Sequence, residues 1–226
     1  EDIAIRDLVA KQKAAGWKVI TDGEFRRSYW HLDFMWGLQG IERRASREGY
    51  QFHDEETTAD TAVVTGPVSG ENHPFVDHFK FVNALSDENH VARQTIPAPI
   101  QTFAEVTLDR CDGQTEILRA VYPTDEALAD AIAAAYRQVI ADLYKAGCRN
   151  IQFDDCTWGM YCDTTFAAQI GLKPDDIQKI CELGVRLNNA AIEDQPDDLA
   201  INTHVCRGNY HSTYAFEGSY DPIAPY

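Results

Sequence analysis

The 226 residues are 44% hydrophobic and 25% charged, the balance of a globular domain large enough to bury one sizeable core. Against 20 Lys and Arg stand 36 Asp and Glu, and the resulting charge of −16 repels nucleic acid. No apolar run approaches the roughly 20 residues that span a bilayer, and the six scattered cysteines do not form a secreted disulfide scaffold, so a reducing cytoplasm is the expected setting.

In chain order, Asp2 is placed to cap a helix whose apolar stripe includes Ile5, Leu8 and Val9, with Gly16 as its stop. Trp17 to Asp22 (WKVITD) reads as the following strand. The hydrophilic stretch Arg43 to Asp60 reads as a loop or excursion, with Arg43, Arg44 and Arg47 solvated. Strands are expected near Ala62 to Thr65 and Thr95 to Pro97, and a helix over Phe75 to Leu85. Thr124 then caps a helix with Leu128, Ile132, Tyr136, Val139 and Leu143 at helical spacing; Gly147 ends it, and Asn150 to Asp154 is a strand. Pro174 suits the first turn of a third such helix, whose broad face carries Ile177, Ile180, Cys181, Val185, Leu187 and Ala191. Leu199 to Cys206 is its strand.

Helices alternating with short strands predict parallel pairing and an α/β fold. No GxGxxG or P-loop follows a strand. Glu24, Asp154, Asp155, His204 and Cys206 instead fall at C-terminal ends of strands, where β/α barrels build active sites. A complete barrel takes about 250 residues, and the alternation supports about five barrel strands here. The expected architecture over residues 1–226 is therefore one partial TIM (β/α)8 barrel, with its first and last strands missing and the chain a piece of a longer one.

Residues two apart in a strand share a face. Asn202, His204 and Cys206 thus lie on one face, and Ile201, Thr203 and Val205 on the other. A histidine and a cysteine so placed can converge on one zinc ion (Zn2+); the alternative is two core residues that happen to alternate. Asp154 and Asp155 end an apolar strand, either capping the next loop or binding a substrate cation. Glu24, beyond Gly23, is placed to accept a substrate ammonium, and Arg26 or Arg27 to pair with a carboxylate. The nearby aromatics Tyr29, Trp30, Phe34 and Trp36 pack against a planar substrate or the barrel rim. Cys156 is a weaker candidate ligand and Cys162 weaker still, while Cys111, Cys148 and Cys181 read as inert packing.

Three blocks carry a resemblance: TDGEFRRSYWHLDF (Thr21 to Phe34), IQFDDCTWG (Ile151 to Gly159) and NTHVCRGNY (Asn202 to Tyr210). In that order they resemble the cobalamin-independent methionine synthase family, in particular its short single-barrel bacterial relatives. The resemblance implies a (βα)8 barrel that transfers a methyl group to the thiol of homocysteine, with methyltetrahydrofolate as the usual donor. It implies His204 and Cys206 as two zinc ligands, with a further Glu and Cys beyond Tyr226. It also places Glu24 and Asp154 on the homocysteine amine. The chain departs from the long enzymes in having Asp154-Asp155-Cys156 where they have Asp-Glu-Pro, and in offering no tryptophan between Ile96 and Phe103 to stack on folate. The partners expected are thus a small-molecule thiol and a methyl donor. The competing expectations are a uroporphyrinogen-decarboxylase-like or other thiol-alkylating barrel, and a degenerate barrel without catalysis.

Overall fold

A computed structural model describes residues 1–169 and 171–226. Helix α1 (Asp2–Ala14) buries Ile5, Val9 and Gln12, and the chain turns after it through Gly16 at φ +82°. Strand β1 is only Val19–Ile20, shorter than the WKVITD run predicts. The cause lies in Gln12: its Oε1 accepts the Thr21 N–H at 3.0 Å, so the backbone leaves the sheet and bonds to the helix.

Helix α2 (Leu32–Gly37) leads into β2 (Gln39–Ala45), which pairs antiparallel with β3 (Asp60–Ser69). This pairing corrects two expectations. Arg43 and Arg44 stand in a strand rather than a loop, and Ala62 to Thr65 belongs to an antiparallel arm rather than to a parallel barrel strand. The run Thr61–Val64 buries itself on the core, while the outer strand is held at its open end by Arg43, whose Nε and Nη2 both donate to Asp60 at 2.9 Å.

Helix α3 (Phe75–Asn83) precedes β4 (Val91–Ala92) and β5 (Gln94–Pro97), two pieces of one extended run separated at Arg93. The Arg93 guanidinium bonds Asn150 at 2.7 Å and Gln152 at 2.9 Å. Helices α4 (Pro99–Thr107) and α5 (Gln114–Val121) follow, then the long α6 (Asp125–Lys145). Thr124 Oγ1 accepts the Ala127 N–H at 3.2 Å, the cap read from sequence. Along α6, Leu128, Ile132, Tyr136, Val139 and Leu143 are fully buried, each contributing about 1.5–3 kcal/mol by leaving water.

Strand β6 (Asn150–Asp155) is followed by α7 (Thr157–Cys162), α8 (Thr164–Gln169), α9 (Pro174–Ala191) and β7 (Ala200–Val205). Pro174 opens α9 as expected, and Asp176 accepts the Lys173 N–H at 3.2 Å. All the sheet contacts of β1, β4, β5, β6 and β7 are parallel: β1 with β4, and β6 between β5 and β7. The register places Pro97 beside Asp154 and Asp154 beside His204, so three strand ends arrive at one level. The fold is mixed α/β, and no closed barrel forms among the described residues. No described helix is long and apolar enough to cross a membrane.

Candidate active site

A cavity of about 340 Å³ opens where β5, β6 and β7 end. Strand phase decides what enters it. From β6, Gln152 and Asp154 line it; from β7 comes His204 and, just past the strand's end, Cys206. Thr95 comes from β5, and Glu24 and Trp30 from the segment after β1.

Glu24 reaches the cavity by a turn, not by strand alternation as the sequence suggested. It sits at φ +60°, with its N–H bonded to Asp22 Oδ1 at 2.9 Å. Its Oε1 accepts from Thr95 Oγ1 at 2.8 Å and from Arg27 Nη1 at 3.1 Å. Arg27 is almost wholly buried, and its Nη2 donates to the Thr95 carbonyl at 2.8 Å. Arg26 is paired with Glu1 and Asp2. Both arginines proposed for a substrate carboxylate are therefore bonded to carboxylates of the chain itself.

Asp154 accepts from Gln152 Nε2 at 2.8 Å. Burial pushes its pKa above the ordinary carboxylate range, and the nearby Glu24 charge pushes the same way. His204 and Arg27 act in the opposite direction. Two carboxylates facing one cavity make a site that gains by accepting a cation.

Asp155 does not share this role. It points to the other side of β6, is fully buried, and accepts the Thr157 N–H at 2.8 Å as well as the Thr157 hydroxyl. Burial raises its pKa to about 6. The expectation that it binds substrate is thus corrected: it caps the start of α7, because adjacent strand residues face opposite ways.

His204 and Cys206 face the same cavity, as their spacing predicted. Imidazole and thiolate together are a donor pair suited to zinc. The neighbouring Cys156 thiol and the Gly208 N–H, which points at the Cys206 sulfur at 3.3 Å, together hold the Cys206 thiol below its usual range. Cys156 is pushed up correspondingly. No set of three or more His, Cys, Asp or Glu converges on one metal position among the described residues, so the pair fits zinc as part of a ligand set and not as all of it.

Cys156, a weaker candidate ligand in the sequence, lines the same cavity. Its place beside Cys206 follows from the register of two strands, which is invisible in one stretch of sequence. Phe52 was missed as well. It lines the cavity from the connection between β2 and β3, with its ring 5.4 Å from that of Tyr210. Cys162 and Cys181 are buried in a second small core with Trp158 and Tyr161, and Cys111 and Cys148 are buried too, as inert packing requires.

The uncharacterized proteins YxjH and YxjG of Bacillus subtilis (strain 168) are 36% identical over 224 residues and 35% identical over 227 residues. Each match takes in 99% of this chain and 57% of the relative, so the chain spans little more than half the length of the curated relatives it matches. No family model matches the chain. Among solved structures, one from Listeria monocytogenes carries the provisional name of a vitamin-B12 independent methionine synthase. It is 34% identical, with a TM-score of 0.71 over 92% of this chain and 55% of that one. A B12-independent methionine synthase from Shewanella sp. W3-18-1 has the same fold, with a TM-score of 0.66 at 22% identity over 93% of this chain and 53% of that one. Over nearly all its length, this chain is similar in sequence and fold to part of the Listeria protein and in fold to part of the Shewanella enzyme.

Proposed function

We propose that the chain supplies the acceptor-binding side of a zinc-dependent methyltransferase that methylates the thiol of homocysteine to give methionine. Methyltetrahydrofolate or a related compound is the donor in this reading. The observation that carries it is the meeting of two carboxylates, Glu24 and Asp154, with one imidazole and one thiol, His204 and Cys206, in a single cavity. An amino acid with a side-chain thiol presents the complementary groups: an ammonium for the carboxylates and a sulfur for the metal end. The likeness to structures named for methionine synthesis supports the same assignment.

The chain's residues have distinct tasks. Glu24, held by Thr95 and Arg27, and Asp154, held by Gln152, fix the acceptor's amino group and so aim its sulfur. His204 and Cys206 would hold zinc, which when bound converts a thiol to its thiolate at neutral pH. Trp30 and Phe52 wall the cavity and limit the water around the reacting sulfur. The acidic lining weighs against a decarboxylase of acidic porphyrinogens, since Arg26 and Arg27 are committed to internal carboxylates.

The test is methionine formation by the natural-length, zinc-loaded protein from homocysteine and methyltetrahydrofolate. Glu24→Gln and Asp154→Asn should each raise the KM for homocysteine by about tenfold or more, at unchanged zinc content. An unaltered homocysteine KM in both variants would sink the assignment.

A further inference from the structure

We propose that Cys156 and Cys206 form a redox-active dithiol at the cavity wall, converted to an intramolecular disulfide by a small-molecule disulfide. The inference stands on strand register and does not require zinc. Asp155 lies beside Val205 in the parallel β6–β7 pair, and the Cys206 N–H donates to the Asp155 carbonyl at 2.8 Å. That bond sets the Cys206 backbone directly beside Asp155, the residue before Cys156, at the point where both strands end. Neighbouring strands run about 4.8 Å apart, inside the roughly 4.4–6.8 Å between Cα atoms that a disulfide bridges.

Both side chains turn to the same side. Each lines the cavity. The backbone there is held from behind by Gly159 of α7: a Cβ at that position would lie 2.3 Å from the Cys206 carbonyl oxygen. Both cysteines thus face one cavity, and the Cys206 backbone is braced. They are also the half-exposed cysteines of the chain, whereas Cys111, Cys148, Cys162 and Cys181 have 6%, 0%, 2% and 0% exposure. An oxidant dissolved in the cavity meets Cys156 and Cys206 first.

The exchange balances without a further reagent. The Cys206 thiolate attacks one sulfur of the small disulfide, forming a mixed disulfide and expelling one small thiolate. Cys156, after losing its proton to solvent, attacks the Cys206 sulfur and expels the second small thiolate. The protein loses two electrons and two protons, and the small disulfide leaves as two thiols. Oxidation removes the Cys206 thiolate from the cavity, so it would switch off any metal chemistry there, and reduction restores it.

The probe is oxidised glutathione added to the reduced, chelator-treated protein. Thiol titration should show two fewer free thiols than before oxidation, and peptide mapping should find one cross-link, Cys156 to Cys206. In Cys156→Ser, Cys206 should instead retain one glutathione. An unchanged thiol count, a cross-link elsewhere, or glutathione retained on Cys206 of the unaltered protein would overturn the proposal. Prior zinc loading separates this inference from the methyltransferase reading. A cross-link that forms equally fast with and without zinc supports the dithiol and counts against Cys206 as a zinc ligand.

Discussion

Thr95 Oγ1 donates to Glu24 Oε1 at 2.8 Å, tying the turn after β1 to strand β5 across 71 positions of sequence. The same hydroxyl accepts from Arg27 Nη2 at 2.9 Å, so it is oriented before it meets the carboxylate. Thr95→Val keeps the shape and removes this bond. Glu24 then swings on its remaining bond to Arg27, and homocysteine affinity should fall about three- to tenfold. Overall stability should change by no more than about 1.5 kcal/mol. Isothermal titration and urea unfolding read the two effects separately.

Arg27 is the more severe test of the same cluster. Its side chain is 2% exposed and lies over the Phe75 ring at 4.5 Å, while Glu24 remains about one-third exposed. Arg27→Met leaves the Glu24 carboxylate with only the Thr95 hydroxyl and the Thr95 carbonyl with only Gln94 Nε2. A wholly buried pair would cost about 3–5 kcal/mol to break, and solvent at Glu24 reduces that to about 2–3 kcal/mol. Arg27→Lys should rescue little, because a lysine cannot serve Glu24, Thr95 and the Trp30 carbonyl together. Denaturant midpoints of the two variants check both statements.

Much of this arrangement was legible in the sequence, and the limits have physical causes. The helix-glycine-strand units around Gly16 and Gly147 and the caps at Thr124 and Pro174 depend on local chemistry, so they could be read directly. The shared face of His204 and Cys206 follows from strand periodicity alone. The β2–β3 arm was hidden because its charged residues, Arg43 and Arg44, stand on an exposed edge and look like a loop. Glu24 arrives through a left-handed turn that no periodicity encodes. For the adjacent acids Asp154 and Asp155 the sequence left capping and cation binding both open, and the structure puts Asp154 in the cavity and Asp155 beneath α7.

His31 makes a pH-dependent contribution to stability. It is buried, bonds Tyr50 through Nε2 at 2.9 Å, and has its pKa lowered to about 3 by burial and by the Arg110 charge. The folded-state value lies below the unfolded value near 6.5, so the folded protein resists protonation. The stability this residue contributes is complete above about pH 6.5 and is lost as pH falls toward 3, at up to about 1.4 kcal/mol per unit. His31→Gln should flatten that part of the stability profile relative to the unaltered protein. Parallel profiles between pH 6.5 and 3 would contradict the assignment.

Gly159 tests the support of the Cys206 strand end. An added methyl group would meet the Cys206 carbonyl oxygen at 2.3 Å and Arg207 Cα at 3.1 Å, both of them backbone atoms. Gly159→Ala should therefore destabilise by about 1–3 kcal/mol and displace Cys206. Faster alkylation of Cys206 by iodoacetamide would register the displacement, and unchanged stability and reactivity would show that α7 does not brace this strand end.

The central claim is that His204 and Cys206 hold zinc at the acceptor cavity. Its most direct test is the metal content of the purified natural-length protein after dialysis, beside His204→Ala and Cys206→Ser made in the same way. The account predicts about one zinc per unaltered chain and a loss of bound zinc in both variants, with circular dichroism showing that each remains folded. One zinc retained per chain in both folded variants would contradict it.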